Sequence, residues 1–377
     1  MKLVLILVLS SALLPAQAVA GLWVGSAQRG AFSTPIQLQL ALRGTQLSGR
    51  FLNGREYSRV YHGSFANGNL RLPFDDYANS LTASIAHGVL TGTFSGRAQP
   101  ELVRLRRVPD IAGRWQIAVH GPKGETEWSL RVTQSGVSVR AVVLRIDGDT
   151  GALYGRFHDG VFTVSRFTAD GPHTVTLSLL PDGTLQVGRH RARRLDSAPV
   201  PLPAVDQPLL HTRMKDPSQP LHFRFPDLAG HMISSTDARF RRKVLLVTVG
   251  GSWCPNCHDE APMLETLYRK YHAAGLDVID LSFEEAAQLQ DPTRLRAFIR
   301  DYGLTFPILL AGTPNQLDQL LPQVAGLNCW PTLFFIGRNG LVARIHTGFA
   351  GPATGAVHAQ LVQETNAFVQ KLLAEPR

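Results

Sequence analysis

The sequence predicts a multidomain protein in which two repeated all-β modules, meander-like or barrel-like, precede a C-terminal α/β domain. Three observations support this fold class. Glycine and aromatic positions in the first half recur at a constant offset, a proline-rich stretch follows them, and the hydrophobic pattern then changes from alternation to continuous apolar runs. Continuous runs of this kind are typical of strands that are buried on both faces of a sheet.

The repeat is visible in the residues themselves. Ala20–Trp23 recurs as Ala112–Trp115, and Tyr61–Phe65 recurs as Leu153–Phe157. Both pairs are separated by 92 residues, and a shared offset at several glycine and aromatic positions indicates duplication of one unit. We therefore predict that the first half of the chain contains two copies of one β module.

Each copy, over residues 21–108 and residues 109–195, has the pattern of short strands joined by tight turns. Ile36–Leu40 alternates apolar and polar residues, with the period of a strand that is buried on one face. Pairs such as Asn53-Gly54 and Asp159-Gly160 favour hairpin turns because both residues tolerate a positive φ. The opening Gly-x-Trp with this up-and-down pattern is similar to lipocalin-type barrels, and no ligand is inferred from that similarity.

Residues 196–220 are predicted to be a linker, because 6 prolines interrupt a stretch with little hydrophobic periodicity. A proline-rich chain is stiff and cannot pair into a sheet, so we expect the β region and the C-terminal domain to be separate units held at a distance. That domain, residues 221–377, contains the apolar run Val244–Val249, which we expect to form a central strand. Helical and strand patterns alternate after it, and Asn339-Gly340 marks a hairpin near its end.

Residues 1–20 have the pattern of a signal peptide. Lys2 supplies a positive start, Leu3–Leu14 is an apolar run too short to span a bilayer, and Ala18–Ala20 offers small residues for cleavage. We therefore expect an exported, periplasmic protein of a bacterium that is soluble after signal removal. An uncleaved N-terminal anchor is the alternative.

Charge and cysteine content narrow the function classes. The formal net charge is +9 at pH 7, but no run of five or more basic residues occurs, so no nucleic-acid partner is expected. The chain has 3 cysteines, Cys254, Cys257 and Cys329, and none of them lies in the β region. Because an exported protein stabilised by disulfides would carry more, these cysteines indicate chemistry rather than scaffolding.

Cys254 and Cys257 have the spacing of a thiol–disulfide exchange pair at the start of a predicted helix. Unpaired N–H groups and the helix dipole favour an anion at Cys254, and a thiolate is the species that attacks a disulfide. Cys257 follows one turn later on the same face, where it can resolve a mixed disulfide. A zinc half-site and a static disulfide are the alternatives, although no second ligand pair accompanies the motif. We expect no metal and no other cofactor.

Val247–Leu264 closely resembles the active-site region of the TlpA/ResA-like thioredoxin family. That family has a strand, a tryptophan, a Cys-x-x-Cys pair, and then a glutamate and a proline in the first helical turns. The matching residues are Trp253, Cys254, Cys257, Glu260 and Pro262. Phe225–Leu228 resembles the family's N-terminal lead-in, so the resemblance covers roughly residues 220–373 and implies a thioredoxin fold. The duplicated β region is similar, more loosely, to regions that precede such domains in some exported bacterial proteins.

The resemblance also implies roles for residues around the pair. The family's glutamate, here Glu260, perturbs the cysteine pKa values and moves protons during exchange, which favours a reductant over a strong oxidant. The alternative is an ordinary surface glutamate in a first helical turn. Trp253, Pro255 and Asn256 are supporting residues, and the uncharged Asn256 offers no cationic partner for a thiolate.

Trp330–Thr332 resembles the family's cis-proline loop, which implies that Pro331 is cis and lies across from the redox pair. The backbone beside such a proline can pair with a partner's extended chain. Trp330 is larger than the residue usual in the family, and it either restricts which partners dock or packs over the site. Thr332 supports the loop. Cys329, two positions before the proline, is either a third thiol that relays a disulfide or a small buried hydrophobe.

The leading functional hypothesis is an exported thiol–disulfide oxidoreductase that acts as a reductant of partner proteins in cell redox homeostasis. By resemblance, its partners are apocytochrome thiols or another oxidoreductase, with a membrane thiol reductant as the donor. The alternative is an envelope binding or scaffold protein whose β modules dock one dedicated partner served by the redox site. A peroxidase is disfavoured because the pattern Pro-x-x-x-Thr-x-x-Cys is absent: Thr248 lies 6 residues before Cys254.

Overall fold

The structure is a computed structural model that describes residues 19–74, 76–96, 99–121, 123–169, 171–195 and 212–376. The predicted signal peptide lies outside the described residues as far as residue 18, and the predicted linker lies outside them as far as residue 211. No helix in the described part of the chain is long and apolar enough to cross a membrane.

The first β module is a closed barrel of antiparallel strands. Its strands are β1 (Gly21–Arg29), β2 (Phe32–Arg43), β3 (Gln46–Asn53), β4 (Glu56–Ala66), β5 (Asn69–Pro73), β6 (Ser80–Ala86), β7 (Val89–Ser95) and β8 (Glu101–Arg107). Each strand pairs with its neighbour in sequence, and β8 returns to β1. Alternate residues point inward, as in β6, where Leu81, Ala83 and Ile85 are buried and the residues between them are exposed.

The second β module is a sheet of nine strands. They are β9 (Gly113–Ala118), β10 (Glu127–Ser135), β11 (Ser138–Arg145), β12 (Gly148–Asp149), β13 (Leu153–His158), β14 (Val161–Thr168), β15 (Gly171–Leu179), β16 (Leu185–Val187) and β17 (His190–Arg194). The order is β10-β9-β17-β16-β15-β14-β13-β11-β12. An additional pairing of β10 with β11 brings the two ends of this order together, and the short β12 extends β11 as a hairpin.

The two modules repeat in structure as well as in sequence. Trp23 donates from its indole N–H to the carbonyl of Val19 at 2.8 Å, and Trp115 donates to the carbonyl of Ile111 at 2.9 Å. Both indoles are fully buried. The same hydrogen bond at the same offset gives each module an equivalent tryptophan, which supports the duplication. Val19, which lies within the predicted signal peptide, is part of the barrel core.

The C-terminal domain mixes strands and helices. Its strands are β18 (Arg213–Met214), β19 (Arg224–Pro226), β20 (Met232–Ser234), β21 (Val244–Gly250), β22 (Leu276–Phe283), β23 (Ile308–Gly312), β24 (Val324–Ala325), β25 (Thr332–Ile336) and β26 (Val342–Thr347). Its α-helices are α1 (Pro255–Tyr271), α2 (Ala286–Gln290), α3 (Thr293–Tyr302), α4 (Leu317–Leu320) and α5 (Ala356–Ala374). Short 3₁₀ turns lie at Ala238–Phe240, His272–Ala274, Pro314–Gln316 and Pro352–Thr354.

A five-stranded sheet in the order β23-β22-β21-β25-β26 organises this domain. The central strand β21 pairs in parallel with β22 and antiparallel with β25, and all 7 of its residues are buried. One apolar cluster, which includes Leu246 and Leu264, lies between the sheet and helices α1 and α5. A second cluster, which includes Val247 and Phe334, covers the opposite face. The continuous apolar run of β21 follows from this burial on both faces.

The chain forms two compact units whose limits differ from the predicted domain limits. The first contains the described residues up to Asp110 with Gln134–Val139 and Arg156–Thr163. The second contains the described residues within Ile111–Thr133, Arg140–Gly155 and Val164–Arg377. Within the second unit, Leu144 of β11 belongs to the apolar cluster beneath α1, and Arg140 Nη2 donates to the carbonyl of Ala353 at 2.6 Å. The expectation that the β region is held away from the C-terminal domain is therefore wrong for this part of the second module.

The end of the predicted linker is ordered against the C-terminal domain. β18 pairs antiparallel with β24, and the Thr212 hydroxyl donates to the carbonyl of Gly326 at 3.2 Å. The described structure of this domain therefore begins before residue 221. A short segment between prolines retains N–H groups that can pair, which the proline content alone does not reveal.

Candidate active site

The redox motif begins helix α1. Cys254 caps the helix: its Sγ accepts a hydrogen bond from the backbone N–H of Cys257 at 3.3 Å, and Pro255 occupies the first turn. Proline fits that position because the N–H that it lacks would have no helical partner there. Both cysteines are free, so this is the dithiol state. The contact places the two thiols one helical turn apart, as disulfide formation requires.

Both thiols are shielded from solvent. Cys254 is 3% exposed and Cys257 is 6% exposed. Burial, the neighbouring Cys254 and the charge of Glu260 raise the pKa of Cys257 well above its ordinary value. Cys257 therefore keeps its proton until a base removes it, which suits a thiol that resolves a mixed disulfide rather than one that attacks first.

Glu260 is buried in a small cavity that Cys257 also lines. It is 2% exposed, and Thr248 Oγ1 donates a hydrogen bond to its Oε2 at 2.7 Å. Its Oε1 has no hydrogen-bond partner among the described residues. Burial raises the pKa of Glu260 to about 7, although the hydrogen bond from Thr248 opposes the shift. The surface-glutamate alternative is wrong, because this carboxyl lies inside the domain and can exchange a proton near neutral pH.

A second carboxyl, which no sequence motif predicted, lies in the same cavity. Asp280 of β22 is 6% exposed, and its Oδ1 has no hydrogen-bond partner in the described part of the chain. Burial and the charges of Glu260 and Glu284 raise the pKa of Asp280 well above its ordinary value. The available signal was an aspartate within a strand whose residues are all buried, a position where an unpaired charge is costly.

Another buried carboxylate holds the loop that precedes Cys254. Glu284 is fully buried and accepts hydrogen bonds from the backbone N–H of Ser252 at 2.6 Å and from its hydroxyl at 2.8 Å. Ser282 Oγ donates to this carboxylate at 2.9 Å, and Arg294 Nη2 of α3 pairs with it at 3.1 Å. These donors compensate the buried charge and fix the loop. No motif in the sequence predicted this network.

Three aromatic rings bring the Cys-x-x-Cys loop and the cis-proline loop together. Trp253 donates from its indole N–H to the carbonyl of Phe283 at 2.8 Å, and its ring centroid lies 5.4 Å from that of Trp330. The Trp330 ring also packs against the ring of Phe283 at 5.8 Å. Trp330 is partly buried by these contacts, so it packs over the site.

The Trp330–Pro331 peptide bond is cis, as the resemblance implies. The carbonyl of Pro331 accepts a hydrogen bond from the N–H of Gly348 at 2.7 Å. Thr332 Oγ1 donates to the carbonyl of Cys329 at 2.8 Å. The first bond links the cis-proline loop to the residue that follows β26, and the second lies within the loop.

Cys329 is a third buried thiol in different surroundings. It is 1% exposed, burial raises its pKa to about 12, and Asp147 of the second β module adds to the shift. A thiol with such a pKa is rarely a thiolate at neutral pH and is a poor nucleophile. These surroundings favour a small buried hydrophobe over a relay.

Asn256, between the two cysteines, is buried rather than presented to solvent. A Cβ added at Gly148 would lie 2.7 Å from Asn256 Cγ, so the backbone of the second β module lies directly against this residue. The described residues contain no group of three or more His, Cys, Asp or Glu side chains that could hold a metal ion.

The C-terminal domain is similar in sequence to several known proteins. Residues 218–345 match the sequence model of the AhpC/TSA family. The thiol-disulfide oxidoreductase ResA of Geobacillus thermodenitrificans is 32% identical over 126 residues, which cover 33% of this chain and 66% of ResA. The thioredoxin-like protein YneN of Bacillus subtilis is 29% identical over 126 residues, which cover 33% of this chain and 68% of YneN. The chain thus spans about two thirds of the length of these curated relatives.

A solved structure is similar over a comparable share of the chain. The thiol:disulfide interchange protein of the thioredoxin family from Chlorobium tepidum aligns with a TM-score of 0.34 and 19% identity, over 43% of this chain and 100% of its own. The region matched by the family model contains the Cys254–Cys257 pair, Glu260 and Pro331.

Proposed function

We propose that the C-terminal domain is a member of the TlpA/ResA-like thioredoxin family and that this protein is an exported enzyme that reduces disulfides in partner proteins. The observation that carries the proposal is the Cys254–Cys257 dithiol at the start of α1, with the Glu260 carboxyl buried in the cavity that Cys257 lines. The arrangement provides an attacking thiol, a resolving thiol and a base.

Exchange begins when the Cys254 thiolate attacks one sulfur of a partner disulfide R–S–S–R′. A bond forms between Cys254 Sγ and that sulfur, the partner's S–S bond breaks, and R′S⁻ leaves and takes up a proton. The N–H of Cys257, 3.3 Å from Cys254 Sγ, and the start of the helix stabilise negative charge on the attacking sulfur.

Resolution requires that the proton of Cys257 leaves. We assign its removal to Glu260, because its pKa of about 7 suits a base in this cavity and its Oε1 accepts no hydrogen bond from the described part of the chain. The Cys257 thiolate then attacks Cys254 Sγ, the mixed disulfide breaks, and RS⁻ leaves and is protonated. The protein ends as the Cys254–Cys257 disulfide, and the partner has gained two electrons and two protons.

Partners and location are part of the proposal. The curated relative ResA is named a thiol-disulfide oxidoreductase, which supports protein disulfides as substrates. A carboxylate beside the pair disfavours the thiolate form and so supports the reducing direction. The pattern of residues 1–20 supports export to the periplasm, with an uncleaved anchor as the alternative. Apocytochrome thiols or another oxidoreductase are the proposed partners, with a membrane thiol reductant as the donor.

The test is oxidation of the pre-reduced protein by 2-hydroxyethyl disulfide, followed by alkylation and mass spectrometry. We expect the wild type to lose two alkylatable thiols. Cys254→Ser should react much more slowly with the reagent, because the remaining Cys257 is buried and its pKa is raised. Cys329→Ser, the matched control, should behave as the wild type. Oxidation of Cys254→Ser at the wild-type rate would remove Cys254 from the mechanism as the attacking thiol.

A further inference from the structure

A turn of the second β module binds the C-terminal domain beside the redox pair. Residues 145–151, here called the docking turn, join β11 to β12 and continue beyond it. The N–H of Phe349 donates to the carbonyl of Asp147 at 3.0 Å, and the N–H of Gly351 donates to Asp149 Oδ2 at 2.6 Å. The docking turn therefore uses backbone donors of the C-terminal domain as a short added strand would.

Gly148 is the point of closest approach. It forms a parallel β-bridge with Phe349, and its φ of 130° lies in the region that favours glycine. A Cβ at this position would lie 2.2 Å from the Phe349 carbonyl oxygen and 2.7 Å from Asn256 Cγ. A larger residue would therefore have to displace the docking turn.

The docking turn also reaches the cis-proline loop. Asp147 raises the pKa of Cys329, which precedes Pro331 by two positions, so its carboxylate is close to that thiol. Gly348, next to the backbone that the docking turn pairs with, donates to the carbonyl of Pro331 at 2.7 Å. The docking turn thus contacts both loops of the redox site, and Cys254 is only 3% exposed.

Contacts outside the turn hold it in place. Lys123 Nζ pairs with Asp147 Oδ1 at 2.6 Å, and Arg140 Nη2 donates to the carbonyl of Ala353 at 2.6 Å. Leu144, next to the docking turn, is buried in the core cluster of the C-terminal domain. Backbone pairing, charge and apolar burial therefore act together at this contact.

We propose that the docking turn is a specificity element of the redox site, because it pairs with the backbone N–H groups of Phe349 and Gly351, which an extended chain of a partner would otherwise be free to pair with. The inference rests on the proposed function and adds the class of disulfide that the site accepts. Small disulfides, and disulfides at the tip of a narrow segment, react with the turn in place. A partner that must pair with residues 349–351 reacts only when the docking turn is displaced. In this way the second β module selects partners.

Two variants displace the docking turn by different means. Gly148→Ala sets a Cβ against the carbonyl of Phe349, and Arg140→Met removes a hydrogen bond from outside the turn, in case the first variant does not fold. Gly183→Ala is the matched control, because Gly183 is a turn glycine of the same module with φ of 80° and no atom within 4 Å of an added Cβ.

Oxidation rates with 2-hydroxyethyl disulfide and with insulin are measured for each protein. We expect the displaced variants to react with insulin about 10-fold faster, equivalent to about 1.4 kcal/mol, while the small-disulfide rate stays within about 2-fold. Hydrogen exchange at the Phe349 and Gly351 amides reports docking independently of activity, and should be faster in both variants but not in Gly183→Ala.

The outcomes separate the two proposals. If both variants keep the wild-type ratio of insulin rate to small-disulfide rate while their amides exchange faster, the specificity role is overturned. Unchanged amide exchange in both variants would overturn the docking contacts on which it rests. If the wild type fails to reduce 2-hydroxyethyl disulfide, the proposed function itself is wrong, and the inference falls with it.

Discussion

Thr248 donates its hydroxyl hydrogen to Glu260 at 2.7 Å, which fixes one oxygen of the buried carboxyl. The other oxygen lies in the cavity that Cys257 lines and has no hydrogen-bond partner among the residues that the structure describes. A residue of the central strand thus orients an acid on the helix that carries the redox pair. Asp280 adds a second acid to the same cavity. Acids so close together oppose one another's ionisation, so the cavity retains protons that exchange chemistry can use.

The first prediction concerns the stability of the reduced protein as a function of pH. The pKa of Glu260 is raised from 4.5 to about 7, so between these values the folded state keeps a proton that the unfolded state releases. Stability should therefore fall as pH rises through this interval, by up to about 3 kcal/mol from this group. In urea unfolding, Glu260→Gln should show a shallower fall and exceed the wild type in stability at about pH 8.

Glu364→Gln, on the exposed side of α5, is the control for that experiment and should keep the wild-type pH dependence. A Glu260→Gln protein whose stability falls as steeply as that of the wild type would contradict the raised pKa of Glu260.

A second prediction separates Asp280 from Glu260. Burial and the neighbouring carboxyls raise the pKa of Asp280, so it keeps its proton to a higher pH than an ordinary aspartate does, and asparagine is a close mimic of the protonated form. Where the wild-type carboxyl is protonated, Asp280→Asn should match the wild type in the rate of Cys254–Cys257 disulfide formation. As the pH rises and that carboxyl ionises, Asp280→Asn should become the faster protein, because the wild-type carboxylate opposes ionisation of Cys257. Quenched alkylation measures this rate. If the rate had the same pH dependence in Asp280→Asn and in the wild type, a role for Asp280 in disulfide formation would be excluded.

A third prediction tests the ion pair between Arg294 and Glu284, which holds the loop that precedes Cys254. Arg294→Met leaves the fully buried Glu284 without its paired cation and should lower the stability by about 3 kcal/mol. Arg300→Met, an exposed arginine on the same helix, should cost much less. Urea unfolding compares the two variants. Adding Glu284→Gln to Arg294→Met should restore part of the loss, and a loss equal to that of Arg300→Met would contradict the role of the ion pair.

A fourth prediction concerns the third thiol. Since Cys329 is buried and its pKa is about 12, it should remain reduced when the redox pair oxidises. Digestion of the oxidised protein at acid pH and mass spectrometry should yield the Cys254–Cys257 disulfide and an unmodified Cys329. A substantial population of disulfides that include Cys329 would instead support the relay.

The features of the site that depend on local pattern were predictable. The Cys254–Cys257 spacing at a helix start is a short motif in the sequence. The cis bond at Pro331 and the position of Glu260 near the pair followed only from the resemblance. The burial of Glu260 did not, because that depends on how α1 packs against β21 rather than on the helix itself.

The features that escaped prediction depend on packing between distant segments. Asp280 lies in β22, which the hydrophobic pattern of the sequence predicts only as a strand. That pattern does not show which of its residues shares a cavity with Cys257. The bond between Asp149 and Gly351 joins residues 202 positions apart, and no local pattern specifies such a contact. The prolines of residues 196–220 describe a stiff chain, but they do not determine whether the domains that it joins touch.

A redox titration of the Cys329→Ala protein in dithiothreitol buffers, with acid quenching, alkylation and mass spectrometry, determines whether Cys254 and Cys257 form a reversible redox pair. We predict one two-electron transition in which Cys254 and Cys257 lose their alkylation sites together, within a single chain. Cys254 and Cys257 would not be the redox pair if both cysteines could still be alkylated in the most oxidising buffer. The same would hold if oxidation yielded only dimers linked through Cys254.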